Sequence, residues 1–519
     1  MKEDPIALVG SGIVATAIAK QLCARGHSVE MYEKGPDIAY PHAPQYERRV
    51  LYRSSDAPSG VGPDLNHVEG TRRHLAAERV MGVGGTATRW GAITGRFHPN
   101  DFRTRTVHGY GQDWPFGYDE LETWYCAAEA MLGVSGSDED NPFAAPRSAP
   151  YPLRAFELGH DGRIMAERLK AAGIVLHTSA QARTRADYDG RPACVNFGVC
   201  GTCPIGARYS PNHHIRQLVA AGRCIVHEET SVRRIVVERG RARALLVRSN
   251  SSASDEEIGC RAIVIAAGTI ETSRLMLLSK GPGQPDGIGN DRGWVGCNIA
   301  FHHIWRGHLD FDEPMMAGQM GPELGQSRQF IDPEGRGRHG GVLVQIPSVF
   351  MEDFHPVKGA WTGRDVVEAQ RARTRCEGVY MHAEARPTAG RRVTLGSACD
   401  RFGDPFAHVE YPMDGDFDFE THAFARRLFE RIRTAVRAKS GALAELEQFV
   451  SGHHHMGGCR MATAPDDGVV DPFGRVHGIT GLWIAGGSTF PAVGAIHPTL
   501  TMVALALRMA DRLGAELAT

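Results

Sequence analysis

The sequence predicts a mixed α/β protein with two domains, one built on a parallel sheet and the other on an antiparallel sheet. Residues 5–33 contain an apolar strand, a Gly-rich turn, a helix and a second strand, which is the order of a βαβ unit. Residues 302–452 instead contain stretches in which apolar and polar residues alternate, as in antiparallel strands. The chain has 519 residues, more than one hydrophobic core usually holds, so two domains are expected.

The βαβ unit carries a dinucleotide-binding fingerprint, G-x-G-x-x-A, directly after the apolar run 6–9. Gly10 permits the tight turn, Gly12 lets a pyrophosphate approach the backbone, and Ala15 keeps the helix close to the strand. Glu33 ends the second strand about 20 residues further on, where an acid that binds ribose belongs. The pattern predicts a pyrophosphate on the helix N-terminus, and a chance Gly-rich turn is the alternative. It does not distinguish NAD from FAD.

A second Gly-rich element, MGVGGTATRWG, occupies residues 81–91. Gly82, Gly84, Gly85 and Thr86 offer N–H and hydroxyl donors at positions small enough for a flat ring or a phosphate to approach. A Gly-rich loop beneath a lid is the alternative interpretation. Residues 261–273 have the same order of elements as the first unit, with an apolar strand, a small-residue turn and a helix that begins near Ile270. The Gly-rich element at residues 81–91 is distant in sequence from the first one, and this separation suits a long cofactor better than NAD.

Three of the 11 cysteines form a cluster with the spacing C-x5-C-x2-C, followed by proline, at Cys194, Cys200 and Cys203. Three thiols within ten residues are a candidate ligand set for an iron–sulfur cluster. Zinc would require a fourth ligand, for which His213 and His214 are candidates. Reduced structural thiols on a loop are the third interpretation. The other cysteines are scattered, which favours reduced thiols in a cytoplasmic protein.

Composition excludes several classes of partner. The formal net charge is -2 and the sequence pI is about 6.9, so nothing suggests nucleic acid. No apolar run is long enough to span a bilayer. The first strand begins near residue 6, which leaves no room for a signal peptide in this sequence, and a cytoplasmic location is expected.

Two C-terminal segments carry candidate proton-transfer groups. The first, SGHHHMGGCRM at 451–461, places three consecutive histidines, His453, His454 and His455, beside a glycine turn. The second places His497 just before a final amphipathic helix. Imidazole suits proton transfer near neutral pH. Taken singly, each is more often a structural histidine, and a catalytic interpretation requires that two of them reach the same cofactor.

Taken in order, the quoted motifs resemble the glucose–methanol–choline (GMC) family of FAD-dependent oxidoreductases over nearly the whole chain. These motifs are residues 10–15 with Glu33, 82–90, 266–273, 289–298, 454–461 and 482–499. Within the family, the chain is most similar to bacterial sugar and polyol dehydrogenases, pyranose-oxidase relatives and C-glycoside-oxidising enzymes. The resemblance implies a discontinuous Rossmann-like FAD-binding domain of residues 1–100, 190–298 and 453–519. Residues 101–189 and 299–452 would form the antiparallel-sheet substrate-binding domain and its connecting segments.

The resemblance also implies a chemistry, the oxidation of a sugar, glycoside or polyol hydroxyl with hydride transfer to flavin N5. His454 would be the main base, and His497 would orient or share the proton. The implied FAD contacts are Gly10, Gly12, Ala15, Glu33, Gly84, Gly85, Thr86, Thr88, Val232, Ala267, Gly268, Gly487, Ser488, Pro498 and Thr499. Arg89 stands where covalent members of the family carry a histidine, so non-covalent FAD is expected.

The electron acceptor follows from the cysteine segment, which resembles the three-iron-cluster loop of sugar dehydrogenase catalytic subunits with one interval a residue shorter. With a cluster, electrons would pass to a partner protein, and a small subunit or a homo-oligomer is then a candidate assembly. Without one, oxygen or a quinone is expected. Two other functions stay open, a small-alcohol or choline-type oxidase and a non-catalytic flavin electron-transfer module. The side chains expected to bind sugar hydroxyls are Gln345, His382, Glu384 and Arg386.

Overall fold

The computed structural model describes residues 4–44, 47, 62, 64–71, 73–139, 141–196, 200–315, 325–347 and 363–518. Its α-helices are α1 (Ile13–Ala24), α2 (Thr104–His108), α3 (Tyr118–Leu132), α4 (His160–Ala171), α5 (Asn212–Ala220), α6 (Gly268–Leu278), α7 (Gly363–Arg373), α8 (Gly415–Ala435) and α9 (Thr499–Leu517). Short 3₁₀ helices cover Arg73–Ala76, Gly85–Thr88, Pro99–Arg103, Cys200–Thr202, Leu446–Gln448 and Gly487–Thr489. None of the described helices combines the length and apolar character needed to cross a membrane.

The first ten strands are β1 (Ile6–Val9), β2 (Val29–Tyr32), β3 (Val68–Gly70), β4 (Ser135–Gly136), β5 (Leu153–Arg154), β6 (His177–Thr178), β7 (Cys224–His227), β8 (Thr230–Glu238), β9 (Arg241–Ser249) and β10 (Glu256–Gly259). The others are β11 (Ala262–Ile265), β12 (Ala300–Phe301), β13 (His303–Asp310), β14 (Gly325–Ser327), β15 (Val342–Ile346), β16 (Cys376–Ala383), β17 (Arg392–Cys399), β18 (Pro405–Glu410), β19 (Ser440–Leu443), β20 (His455–Met456) and β21 (Leu482–Ile484).

A parallel five-stranded sheet in the order β21-β11-β1-β2-β7 forms the first core. Every residue of β1, β11 and β21 is buried, as expected for strands covered on both faces. The sheet brings together segments near residues 6, 30, 225, 263 and 483, and α9 packs against α1 and α3. The predicted βαβ unit is confirmed, and its second strand, which the sequence predicts over residues 28–32, spans Val29–Tyr32.

An antiparallel sheet in the order β19-β13-β16-β15-β14-β6 forms the second core. Val379, Met381 and Ala383 alternate along β16 and pack, with Leu428 and Phe429 of α8, in one hydrophobic cluster. Tyr380 and His382 therefore point to the opposite face of the sheet, because side chains alternate along a strand. Leu343 of β15 lies on that opposite face and belongs to the core of the parallel sheet. The polar side chains of this face therefore lie next to the first core.

Two boundaries differ from the sequence prediction. The alternating stretches of residues 302–452 were expected in one antiparallel sheet, but β17 and β18 pair with β3 in a separate three-stranded sheet. There β18 runs parallel to β3, and a bulge interrupts β17 between Leu395 and Cys399. The helix expected at 418–439 spans Gly415–Ala435 instead. It stops there because Arg437 adopts a left-handed backbone conformation with φ 62, which a continuing helix cannot contain.

Candidate active site

The two Gly-rich elements predicted to bind a dinucleotide meet in space. Gly10 has φ +97, and an added Cβ would lie 2.8 Å from the carbonyl oxygen of Ala266, so only glycine fits the turn. An added Cβ on Gly85 would lie 3.1 Å from the Cα of Gly12. The backbones of the loops at residues 10–12 and 84–85 therefore touch, although about 70 residues separate them.

Ser11 joins these loops to Glu33. Its hydroxyl donates to Glu33 Oε2 at 2.7 Å and accepts from the Gly84 N–H at 3.2 Å. Glu33 also accepts from the N–H of Ser11 and of Gly35. Burial raises the pKa of Glu33, and these hydrogen bonds oppose that shift. Sequence reasoning missed Ser11 because the fingerprint treats its position as variable.

The loops at residues 10–12 and 84–85 fit the pyrophosphate of a dinucleotide. An added Cβ on Gly12 would meet no atom within 4 Å, so the space beside the start of α1 is open. The first turn of α1 contains no acidic residue. Its N-terminal N–H groups and helix dipole therefore favour an anion at this place. Ala15 is fully buried in α1.

The other residues predicted to contact the cofactor lie in turns, at helix starts and on β8. Gly457 donates to the carbonyl oxygen of Gly487 at 2.8 Å, and Cys459 donates to that of Ser488 at the same distance. Ala267 and Gly268 start α6 directly after β11, and Pro498 and Thr499 start α9. The hydroxyl of Thr86 accepts from the Val80 N–H, and that of Thr88 donates to the Gly85 carbonyl oxygen. Val232 lies on β8, whose first residue, Thr230, donates to the carbonyl oxygen of Glu33 at 2.8 Å.

The side chains of the three consecutive histidines, at the start of β20 and directly before it, point in different directions. The ladder pairs Ala300 with Met456 and Phe301 with His455, so the same antiparallel register continues with His302 opposite His454. His455 packs edge-on against Phe301 and contacts the Glu78 carboxylate at 3.0 Å. The His453 ring bonds the Glu78 carbonyl oxygen at 2.6 Å. His454 thus points away from its two neighbours.

His454 lies in a cluster of four histidines. The ring centroids of His454 and His497 are 5.0 Å apart, and those of His382 and His497 are 4.7 Å apart. His454 Nδ1 lies 2.9 Å from His302 Nδ1, and His302 Nε2 lies 2.8 Å from the carbonyl oxygen of Gly494. The structure brings together both histidines singled out from the sequence, and adds His302. A consecutive His302-His303 pair after a Gly/Asn-rich bend was the only signal for it.

These four imidazoles are neutral near pH 7. Burial lowers the pKa of His302 to about 4. Burial also lowers the pKa values of His382, His454 and His497 well below their usual 6.5, and repulsion between neighbouring histidines adds to the effect. Neutral imidazoles have a free lone pair, so this cluster contains proton acceptors rather than cations.

A row of polar side chains crosses the antiparallel sheet on the face that carries His382. The register pairs His177 with Gln326, Gln326 with Gln345, and Gln345 with Tyr380. His177, Gln326 and Gln345 are at least 95% buried. Within the described residues, their Nε2 atoms have no hydrogen-bond partner. Buried amide groups without partners are costly, so this row is suited to a ligand that supplies hydroxyl groups.

Two of the side chains expected to bind sugar hydroxyls have other partners. Glu384 is fully buried and pairs with Arg336 at 2.9 Å, and it also accepts from the Tyr110 hydroxyl. Arg386 pairs with Asp414 at 2.7 Å. Structural ion pairs already engage the charges of both residues, so a contact of either with sugar hydroxyls stays a prediction. Gln345 and His382 remain on the site side of the sheet.

The cysteine segment lies partly outside the described residues, which omit 197–199 and the Cys200 side chain. Cys194 and Cys203 are both partly buried. His214, one of the two candidates for a fourth zinc ligand, has both ring nitrogens engaged, one by the Tyr209 hydroxyl at 2.9 Å and the other by Asp189 at 2.8 Å. The iron–sulfur cluster stays a prediction.

Two family models, both described as GMC oxidoreductase, match residues 68–304 and 387–506. The chain is 29% identical to the fructose dehydrogenase large subunit of Gluconobacter japonicus, covering 98% of this chain and 97% of that protein. It is 25% identical to a C-glycoside 3-oxidase of Arthrobacter globiformis, covering 99% and 95%. It is 27% identical to a 2-methyl-1,2-propanediol dehydrogenase of Mycolicibacterium austroafricanum, covering 98% and 95%.

Solved structures share the fold. Pyridoxine 4-oxidase from Mesorbium loti aligns with a TM-score of 0.67 at 17% identity, covering 98% of this chain and 99% of that one. A formate oxidase aligns with a TM-score of 0.69 at 15% identity, covering 99% of both chains. Together with the two family models, which cover most of the chain, these matches confirm the resemblance and the predicted fold class. The protein is a member of the GMC oxidoreductase family, an enzyme that acts on CH–OH groups.

Proposed function

We propose that this enzyme oxidises a hydroxyl group of a sugar, glycoside or related polyol to a carbonyl, with FAD bound non-covalently. Residues 1–100, 190–298 and 453–519 would form the FAD-binding domain, and residues 101–189 and 299–452 the substrate-binding domain. Gly10, Gly12 and Ala15 would hold the pyrophosphate, and Glu33 the adenosine ribose. The bound flavin would supply the two-electron acceptor for the hydride that leaves the substrate carbon.

The protein's own contribution to the chemistry is a base for the hydroxyl proton. His454 is neutral, is only partly exposed, and has His497 and His382 close to its ring. A positioned general base typically contributes ~10²–10⁴ to the rate. His454 Nε2 would take the proton as the carbonyl forms, and His497 would orient the hydroxyl or share the proton.

The polar row His177–Gln326–Gln345 is the observation that carries the choice of a polyhydroxylated substrate. Neutral His177 donates through Nδ1 to the carbonyl oxygen of Thr178 at 2.9 Å, so its Nε2 is an acceptor. The two amide Nε2 groups are donors. A hydroxyl group both donates and accepts, so several hydroxyls on one ring satisfy acceptor and donors together. A small apolar alcohol would leave these buried groups without partners, which costs free energy.

Relatives support the same substrate class. A fructose dehydrogenase subunit and a C-glycoside 3-oxidase are both named for sugars or glycosides, and this chain is similar to each over nearly its full length. The similarity to a diol dehydrogenase favours the small-alcohol alternative. The polar row distinguishes the two, because a small diol has too few hydroxyl groups to satisfy three side chains spread over three neighbouring strands.

The test is anaerobic reduction of the purified flavoprotein. Hexoses, C- and O-glycosides, linear polyols and small diols are added separately, and bleaching of the visible flavin band is recorded before air is admitted. Bleaching by sugars or glycosides at lower concentration than by small diols is expected. Bleaching by small diols alone would replace the proposal with the small-alcohol oxidase, and no bleaching by any of them would leave a flavin electron-transfer module.

The same sample tests three remaining predictions. Acid precipitation should release FAD into the supernatant, because Arg89 occupies the position of the flavin-linking histidine. Rapid recovery of colour in air would identify oxygen as an acceptor, and slow recovery would indicate a quinone or a partner protein. Iron analysis tests whether Cys194, Cys200 and Cys203 bind a cluster. The cytoplasmic location also stays a prediction.

A further inference from the structure

We infer that His302 is a positioning residue that holds His454 in the tautomer whose proton is on Nδ1, leaving the lone pair of His454 Nε2 free for the substrate hydroxyl. This inference rests on the proposed function for its catalytic meaning, but the tautomer itself follows from hydrogen bonds within the protein.

The carbonyl oxygen of Gly494 sets the first proton. It lies 2.8 Å from His302 Nε2. A carbonyl oxygen only accepts hydrogen bonds, so His302 Nε2 must carry a proton and donate it. The position of Gly494 is itself restricted, because an added Cβ would lie 2.4 Å from Asp101 Oδ2. The acceptor is therefore part of a closely packed structure.

The second proton follows from the neutrality of His302. This residue is fully buried and has no access to solvent, so its imidazole stays neutral near pH 7. A neutral imidazole with a proton on Nε2 has a bare Nδ1. His302 Nδ1 lies 2.9 Å from His454 Nδ1. Two bare nitrogens at this distance would repel, so His454 must donate its own proton from Nδ1.

The free nitrogen of His454 is then Nε2. Within the described part of the chain, no hydrogen bond engages this atom, and the ring is partly exposed rather than fully enclosed. The ring centroids of His454 and His497 are 5.0 Å apart, and the two rings are nearly perpendicular. In the other tautomer, Nε2 would present an N–H to the substrate hydroxyl and could not accept its proton. The hydrogen bond made by one ring nitrogen determines which of the two nitrogens is protonated. In His454 this hydrogen bond is made by Nδ1, and its partner is His302.

The backbone explains why these two rings meet. The β12–β20 ladder pairs Ala300 with Met456 and Phe301 with His455, and the same register places His302 opposite His454. Side chains directly opposite each other on one face of a ladder lie within contact distance. His302 is thus placed by the register of a strand pair.

The test compares two substitutions at His302 that differ in one property. An asparagine side chain can place an amide oxygen near the position of Nδ1 and accept from His454, whereas leucine cannot accept at all. We expect His302→Leu to lower the anaerobic rate of flavin bleaching at saturating substrate by about 10²-fold, with FAD content and KM little changed. We expect His302→Asn to recover the rate to within about tenfold of the unsubstituted enzyme.

The matched control is His308→Leu, which makes the same chemical change at a half-exposed position further along the next strand, β13. It should leave the bleaching rate unchanged. If His302→Leu and His308→Leu bleach equally fast, or if His302→Asn is as slow as His302→Leu, then accepting a hydrogen bond from His454 does not matter and the inference is wrong.

A second readout does not depend on activity. Histidine labelled with ¹⁵N distinguishes Nδ1–H from Nε2–H tautomers by chemical shift, and the His454 signal is identified by its loss in His454→Gln. A proton on Nδ1 is expected in the unsubstituted protein and in His302→Asn, and a shift toward Nε2–H is expected in His302→Leu. A proton on Nε2 in the unsubstituted protein would overturn the inference. If no alcohol bleaches the flavin, the proposed function fails, but this measurement still decides the tautomer.

Discussion

Glu377 makes the protein less stable as the pH rises. It lies on β16, on the face that packs in the second hydrophobic core, and is fully buried. Within the described residues, neither of its carboxyl oxygens has a hydrogen-bond partner. Burial raises the pKa of this carboxyl group to about 9, and the negative charge of Asp161 adds to the shift. The folded protein therefore keeps a proton on Glu377 at pH 7, when the unfolded chain has lost it.

The expected effect follows from this difference in proton binding. The stabilising contribution is fully present below the unfolded pKa of about 4.5 and is lost as the pH rises toward about 9. Each pH unit in this window lowers the free energy of unfolding by about 1.4 kcal/mol. The total decrease is therefore about 3 kcal/mol at pH 7 and about 5 kcal/mol at pH 8. Glu377→Gln keeps the shape of the protonated carboxyl group and removes the titration.

The assay is denaturant unfolding at pH 5 and pH 8 with equal FAD occupancy in all samples, because bound cofactor also stabilises. The free energy of unfolding of Glu377→Gln, relative to that of the unsubstituted protein, should be about 4 kcal/mol higher at pH 8 than at pH 5. Glu447→Gln, at an exposed position, is the control and should gain nothing. A Glu377→Gln gain that is the same at both pH values would refute the reasoning.

Three further predictions concern the site. His454→Ala should abolish turnover while FAD stays bound, and retained turnover would exclude His454 as the base. Gln345→Leu should raise KM for sugars about tenfold and leave KM for a small diol nearly unchanged; an equal change for both would remove Gln345 from the sugar contacts. The four buried neutral histidines bind protons only after unfolding, so stability is present above pH 6.5 and is lost as the pH falls. A histidine that stays neutral in the folded protein loses about 1 kcal/mol of this stabilisation between pH 6.5 and 5.5, and His382→Gln should remove one such contribution, as measured by denaturant unfolding.

Local sequence patterns predicted the elements that depend on neighbouring residues. The G-x-G-x-x-A turn between β1 and α1 is such a case, because the requirement for glycine arises within the turn. Apolar residues at helical spacing predict a helix over 118–132, and α3 has these ends because the extended Gly117 precedes it and the left-handed Gly133 ends it. The end of α8 was missed because Arg437, a residue without a local signal, adopts the left-handed conformation.

The arrangement of the histidines depended on the tertiary structure. Three consecutive histidines are equivalent in a sequence pattern, and only the pairing of β20 with β12 turns His454 toward the site and His455 toward Glu78. His302 is 152 residues from His454, so no local spacing relates them. The partner of Glu384 also depends on the tertiary structure, because Arg336, with which it pairs, is 48 residues away in the sequence.

Residue types at short and fixed spacings were enough to predict the family and the parallel-sheet unit with its Gly-rich turn, and to single out His454 and His497 as candidates. The tertiary structure alone decided which polar groups are satisfied and which are left without partners. Gln345 lies on β15 and Glu384 directly follows its neighbour β16, yet Gln345 belongs to the polar row without partners and Glu384 lies in a buried ion pair. Hydrogen bonds and ion pairs between distant segments form only when strand register brings them together, so no pattern along the chain contains them.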